Sequence, residues 1–196
     1  MKSAPALVRL ANVLSIIGHP LLTISLFTLY VTYQQLTPRS AAIVSGLLIC
    51  GVILPVTFRN YRKVKQGRFT NFDVSDRKQR HQLYPTVIGL LALVTILLFA
   101  TNQPLAFGYG TLFSLLLMVC SYLTNFFIKA SLHTSLSFFI AWAMALLNPA
   151  LGVWMALLSL LIALSRFILQ RHTFSEIIVG ALLGLVTGAG FYWVIS

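Results

Sequence analysis

The stretch YPTVIGLLALVTILLFAT, Tyr84–Thr101, runs eighteen residues without a charge. A helix rises about 1.5 Å per residue, so this run reaches about 27 Å, close to the roughly 30 Å of hydrocarbon in a bilayer. Polar sequence bounds it, Arg77-Lys-Gln-Arg-His-Gln before and Thr101-Asn-Gln after. Its apolar residues are continuous and do not alternate with polar ones, which argues against a barrel strand. Comparable runs lie on both sides. They predict further spans at Ala11–Tyr33, Ser40–Phe58, Phe107–Ile128, Ser131–Leu147, Ala150–Ser165 and Glu176–Ile195. The expected fold is an all-α polytopic membrane protein, a bundle of about seven transmembrane helices.

Composition supports this reading. The chain is 58% hydrophobic and 9% charged, with a mean hydropathy of +0.89. A soluble domain carries about 25% charged residues, so this chain has too few to cover a water-facing surface. The connectors Gln34–Arg39, Asn102–Ala106 and Asn148–Pro149 are short, and only Arg59–Leu83 is long and polar. The expected organisation is a single membrane domain, 1–196. It has two N-terminal helices in 1–58, a basic cytoplasmic loop in 59–83 and a catalytic-type helix bundle in 84–196. The first span is too long for a cleavable signal peptide and has no small-residue cleavage pattern after it. Pro20 should kink it, and His19 beside it reads as structural. Cys50 and Cys120 lie 70 residues apart with no metal-ligand spacing, and read as small core residues.

Positive charge sets the orientation. With the amino terminus inside and seven crossings, Lys2, Arg9, the eight basic residues of 59–83, Lys129, Arg166 and Arg171 share one face. That is thirteen of the fourteen basic residues, with Arg39 alone opposite. Cytoplasmic loops are enriched in Lys and Arg, so this face is expected in the cytoplasm of a bacterial-type inner membrane. The run Arg59–Arg68 reads as a topology signal attracted to anionic headgroups. The net charge of +11 therefore points to membrane lipid and not to nucleic acid.

Only three acids exist, Asp73, Asp76 and Glu176. That excludes prenyl transfer on paired aspartate-rich magnesium motifs, and two-metal hydrolysis. No metal and no cofactor is expected. A haem protein is disfavoured, because His133 and His172 fall at one face with no facing pair. Phosphate chemistry here has to use cations and histidine.

Three polar clusters fall at that same expected face. They are Asp73–Pro85, with Arg77, Lys78, Arg80, His81 and Tyr84; Lys129–Ser135, with Ser131 and His133; and Ser165-Arg166 followed by His172-Thr-Phe-Ser-Glu176. Two spans separate each from the next, so the chain returns to one side each time. Guanidinium groups bind phosphate oxygens in a planar, bidentate way. A histidine beside them can attack phosphorus or protonate a leaving oxygen. His172 and Glu176, four residues apart, would share a helix face, letting the carboxylate fix the imidazole tautomer.

The pattern Ser165-Arg166-x5-His172-x3-Glu176 resembles the third signature, SR-x5-H-x3-D, of the type 2 phosphatidic-acid phosphatase and vanadium haloperoxidase superfamily. Lys129–Ser135 sits where that family carries its PSGH signature. Arg77–Pro85 is similar to its first, K-x6-RP, with Arg77 at the lysine, Tyr84 at the arginine and Pro85 matching. The signatures with their helices cover about residues 70–196. The chain departs from the pattern at Ala130, Leu132, Tyr84 and Glu176, which stand for proline, glycine, arginine and aspartate.

The resemblance implies a metal-independent phosphatase of a membrane lipid phosphate, whether phosphatidate, phosphatidylglycerol phosphate or an isoprenyl phosphate. His172 would be the nucleophile, oriented by Glu176, and His133 the acid for the leaving alcohol. Arg77 and Arg166 would hold the phosphate with Ser131, helped by Lys129 and by Arg80 standing in at Tyr84. The alternative is a catalytically weak relative that binds or moves anionic lipid. Gly180, Gly184 and Gly188 form a ridge on the last span, expected to pack it against the bundle, with a homodimer seam as the other use.

Overall fold

The computed structural model describes residues 5–196; Lys2, counted above in the orientation, lies outside them. The described residues form helices and no strand. In chain order these are α1 (Pro5–Ile17), α2 (Pro20–Gln35), α3 (Pro38–Lys65), α4 (Arg77–Ala100), α5 (Leu105–Thr124), α6 (Leu132–Leu147), α7 (Pro149–Ile168) and α8 (Phe174–Ile195). Five of them, α3, α4, α5, α7 and α8, are long and apolar enough to cross a membrane. The pair α1 and α2 passes the same test only when joined, and α6 is apolar but shorter. Large apolar side chains stand exposed along these helices: Ile96 at 64%, Trp154 at 69% and Val186 at 70%. Such rows of exposed hydrocarbon are stable in lipid and costly in water.

Local chemistry sets the boundaries. The first expected span breaks at Gly18-His19, immediately before Pro20, whose ring cannot continue a helix. Within α3, Ile49–Ile53 forms a π-helical turn. Pro55, two residues on, lacks an N–H and crowds the Gly51 carbonyl, and the wider turn accommodates it. Asp76 caps α4 by accepting from Gln79 N at 2.9 Å. Asn148 caps α7 by accepting from Ala150 N at 2.8 Å.

The basic segment 59–83 departs from the expected loop. Helix α3 continues to Lys65 and α4 already starts at Arg77, leaving only residues 66–76 outside helices. Arg, Lys and Gln are strong helix formers, and Arg62, Lys63 and Lys65 sit in the last turn of α3, where cations favour the helix dipole. Side chains then tie the segment down. Arg59 donates to the Gln82 carbonyl, Lys63 Nζ donates to Gln82 Oε1 at 2.5 Å, and both cations lie over the Phe69 ring. The cysteines differ from expectation as well: Cys50 is exposed and Cys120 half-buried.

Chain packing divides into two compact units, at places other than 58 and 83. One comprises the chain up to Thr23 together with Phe126–Ser196; the other is Ile24–Asn125. In the first, α6 packs against both α7 and α8, and α1 packs on α7. The glycine ridge serves the α6–α8 contact. A Cβ on Gly180 would meet the Ser131 carbonyl at 2.7 Å, and one on Gly184 would overlap that of Ser135. In the second unit, α4 packs on α5 and α3.

Candidate functional site

The first unit gathers the second and third polar clusters. Thr173 is the N-cap of α8, so His172 stands one residue outside the helix and Glu176 is its third residue. The expected contact forms by a different geometry from a shared helix face: the chain turns into the cap and brings His172 Nδ1 to 2.8 Å from Glu176 Oε2. The same oxygen accepts from Thr173 N at 3.2 Å, and Thr173 Oγ1 accepts from Glu176 N at 3.3 Å, closing a capping box. Lys129 Nζ lies 3.6 Å from that carboxylate oxygen and donates to the Arg171 carbonyl at 3.2 Å. With Nδ1 bound to the carboxylate, Nε2 is the imidazole nitrogen placed for chemistry.

An open cleft of about 600 Å³ lies here, lined by Lys129, Arg171, His172, Thr173, Phe174 and Glu176. Its cations suit an anion. Ser131 N donates to the Glu176 carbonyl at 3.1 Å, which sets the N-terminus of α6 beside the first turn of α8.

Ser131 is fully buried and caps α6. Its Oγ accepts from Thr134 Oγ1 at 3.0 Å and from Thr134 N at 3.5 Å, which leaves its own hydroxyl proton to donate. His133, in the first turn of α6, is buried. Arg166, in the last turn of α7, is 1% exposed and donates from Nη1 to Ser15 Oγ on α1. His19, at the break after α1, packs edge to face on His133 with ring centroids 5.3 Å apart.

The first cluster belongs to the second unit. Arg77 Nε donates to the Asn125 carbonyl at 2.7 Å, and Asn125 Nδ2 donates back to the Arg77 carbonyl at 3.3 Å. Arg80 is buried and its Nε donates to the Val74 carbonyl at 3.0 Å. Tyr84 is fully buried against Tyr122, with ring centroids 5.5 Å apart. These three therefore have structural partners within their own unit.

Three residues join the site that the sequence reading left out of it. Arg171 lines the cleft and adjoins His172, so the motif interval itself pointed there. Ser15 carried no signal. His19 did, since an ionisable residue inside an apolar span is a functional candidate by default. The Thr173-x-x-Glu176 spacing is also a capping-box signature, which gives Glu176 a structural duty beside any chemical one.

Comparison with protein-family models, curated proteins and solved structures returns no match.

Proposed function

We propose that this chain is a membrane-embedded, metal-independent phosphatase of a lipid phosphate, related to the type 2 phosphatidic-acid phosphatases. The observation that carries the reading is the 2.8 Å contact of His172 Nδ1 with Glu176, on a cleft that also presents Lys129 and Arg171. Phosphate oxygens bind the cleft cations and Arg166. Nε2 of His172 attacks phosphorus, the P–N bond forms and the P–O bond to the lipid breaks. His133 gives its proton to the departing alkoxide, so the lipid leaves as a neutral alcohol. Water then attacks the phosphohistidine as His133 takes its proton, releasing inorganic phosphate and restoring both histidines. Glu176 holds the His172 tautomer and stabilises the imidazolium. In the membrane, seven crossings with the amino terminus in the cytoplasm put the cleft among cytoplasmic-side headgroups of the inner membrane; a reporter fused after Ser196 is then periplasmic.

A second reading, a lipid-binding relative without turnover, draws on the capping box and the Lys129 pair, which already occupy Glu176 structurally. The deciding experiment is a phosphate-release assay in detergent with EDTA, across phosphatidate, phosphatidylglycerol phosphate and undecaprenyl phosphate. Release from one of them, with acid-labile phosphate trapped on His172, is the expected result. Binding of all three with no release favours the second reading.

A further inference from the structure

We propose that His19 is a positioning residue for His133, the proton donor of the reaction above; the inference rests on that reading. The general acid must aim one ring nitrogen at the leaving oxygen, yet the second side-chain torsion of histidine is broad and weakly restrained on its own. His133 lies buried on the first turn of α6, and His19 packs against its ring. The two rings meet at 86° with centroids 5.3 Å apart, so turning either ring drives its edge into the other.

His19 is itself fixed. Its Nδ1 accepts from Leu21 N at 3.3 Å. Its carbonyl accepts from Leu22 N and Thr23 N, both at 2.9 Å, and from Thr23 Oγ1 at 3.0 Å. The break in the helix at Gly18-His19 thus forms a small hydrogen-bonded turn that sets one imidazole against another. Close approach to α7 is what allows the turn to sit there: a Cβ on Gly18 would run into the Ile162 side chain at 2.5 Å. A second contact from the same helix points the same way. Four residues earlier, Ser15 is buried and accepts from Arg166. Helix α1 and its terminal turn therefore support one residue from each of the two signatures in this unit, and an amphipathic packing helix has no need of such a pair.

The test measures two rates on each sample of full-length protein in detergent, with dioleoyl phosphatidate and with p-nitrophenyl phosphate. The first needs a proton on its leaving alcohol, while the second releases a phenolate that does not. His19→Ala should slow phosphatidate turnover about 10²-fold, the scale of misplacing a catalytic group, and p-nitrophenyl phosphate less than about threefold. His19→Phe keeps a flat ring in contact and should recover much of the phosphatidate rate. Added to His133→Ala, His19→Ala should cost nothing further, because residues acting through one another are not additive. The ratio of the two rates is independent of how much of a variant is folded. Equal loss on both substrates, or additive loss in the double variant, overturns the assignment and leaves the phosphatase reading standing. Wild-type protein that releases phosphate from neither substrate overturns both.

Discussion

The two units differ in what several of their polar side chains reach. In the unit holding α6, α7 and α8, polar groups meet other side chains: His172 with Glu176, Lys129 with Glu176, Arg166 with Ser15, His19 with His133. In the unit of residues 24–125, the guanidiniums of the first cluster turn to backbone carbonyls, Arg77 to Asn125 and Arg80 to Val74, while Arg59 takes that of Gln82. A carbonyl bonded to arginine closes a loop or a helix end, and that contact alone gives the arginine no chemistry. Arginine thus lines a cleft at Arg171 in one unit and clasps backbone carbonyls at Arg77 and Arg80 in the other.

The sharpest test of that contrast is the nucleophile. His172→Ala should lower lipid-phosphate release at least about 10⁴-fold, the scale of losing a nucleophile, with dioleoyl phosphatidate binding kept. Near-normal release would turn the cleft into a second clasp. Glu176→Gln comes next. It should slow turnover by roughly 10² to 10⁴, because the carboxylate no longer sets the imidazole tautomer. Thermal stability should change little, since glutamine also closes a capping box. A large drop in melting temperature with a modest rate loss would make Glu176 mainly structural. The arginines separate the units directly. Arg166→Ala should cost about 10²-fold in kcat/KM, of the order of one or two charge-assisted hydrogen bonds. Arg77→Ala should cost about tenfold or less and show mainly as lower thermal stability. The reverse order would restore Arg77 as a phosphate ligand, as the family resemblance implies. The smallest effect belongs to EDTA, which should leave the rate within about twofold, since no step is assigned to a metal.

Much of the fold was legible because lipid imposes a blunt requirement, long uncharged runs. The Tyr84–Thr101 run lies inside α4, and each other expected span overlaps a helix or, at the first, the α1–α2 pair. The basic segment misled because polarity reads as loop, whereas Arg, Lys and Gln extend a helix readily once one has begun. In the site, spacing revealed that His172 and Glu176 meet, but the helix-face argument gave the wrong geometry: the N-cap at Thr173 puts His172 before the helix. The fate of Arg77 and Arg80 was not legible. Which carbonyl an arginine finds depends on tertiary packing, such as where Asn125 ends up at the close of α5. Ser15 and His19 lie over a hundred residues from their partners Arg166 and His133, beyond the reach of any local pattern.

Helix α3 carries a consequence for the choice of bilayer. Its 28 residues span about 42 Å at 1.5 Å per residue, some 12 Å more than a hydrocarbon core of about 30 Å. The excess corresponds to roughly the last two turns, which hold Arg59, Arg62, Lys63 and Lys65 as rigid helix. Their depth is therefore set by membrane thickness: a thinner bilayer lifts these charges clear of the headgroups, and a thicker one draws them in or tilts the helix. In reconstitution, acyl-chain length therefore becomes a variable to control beside the lipid headgroup.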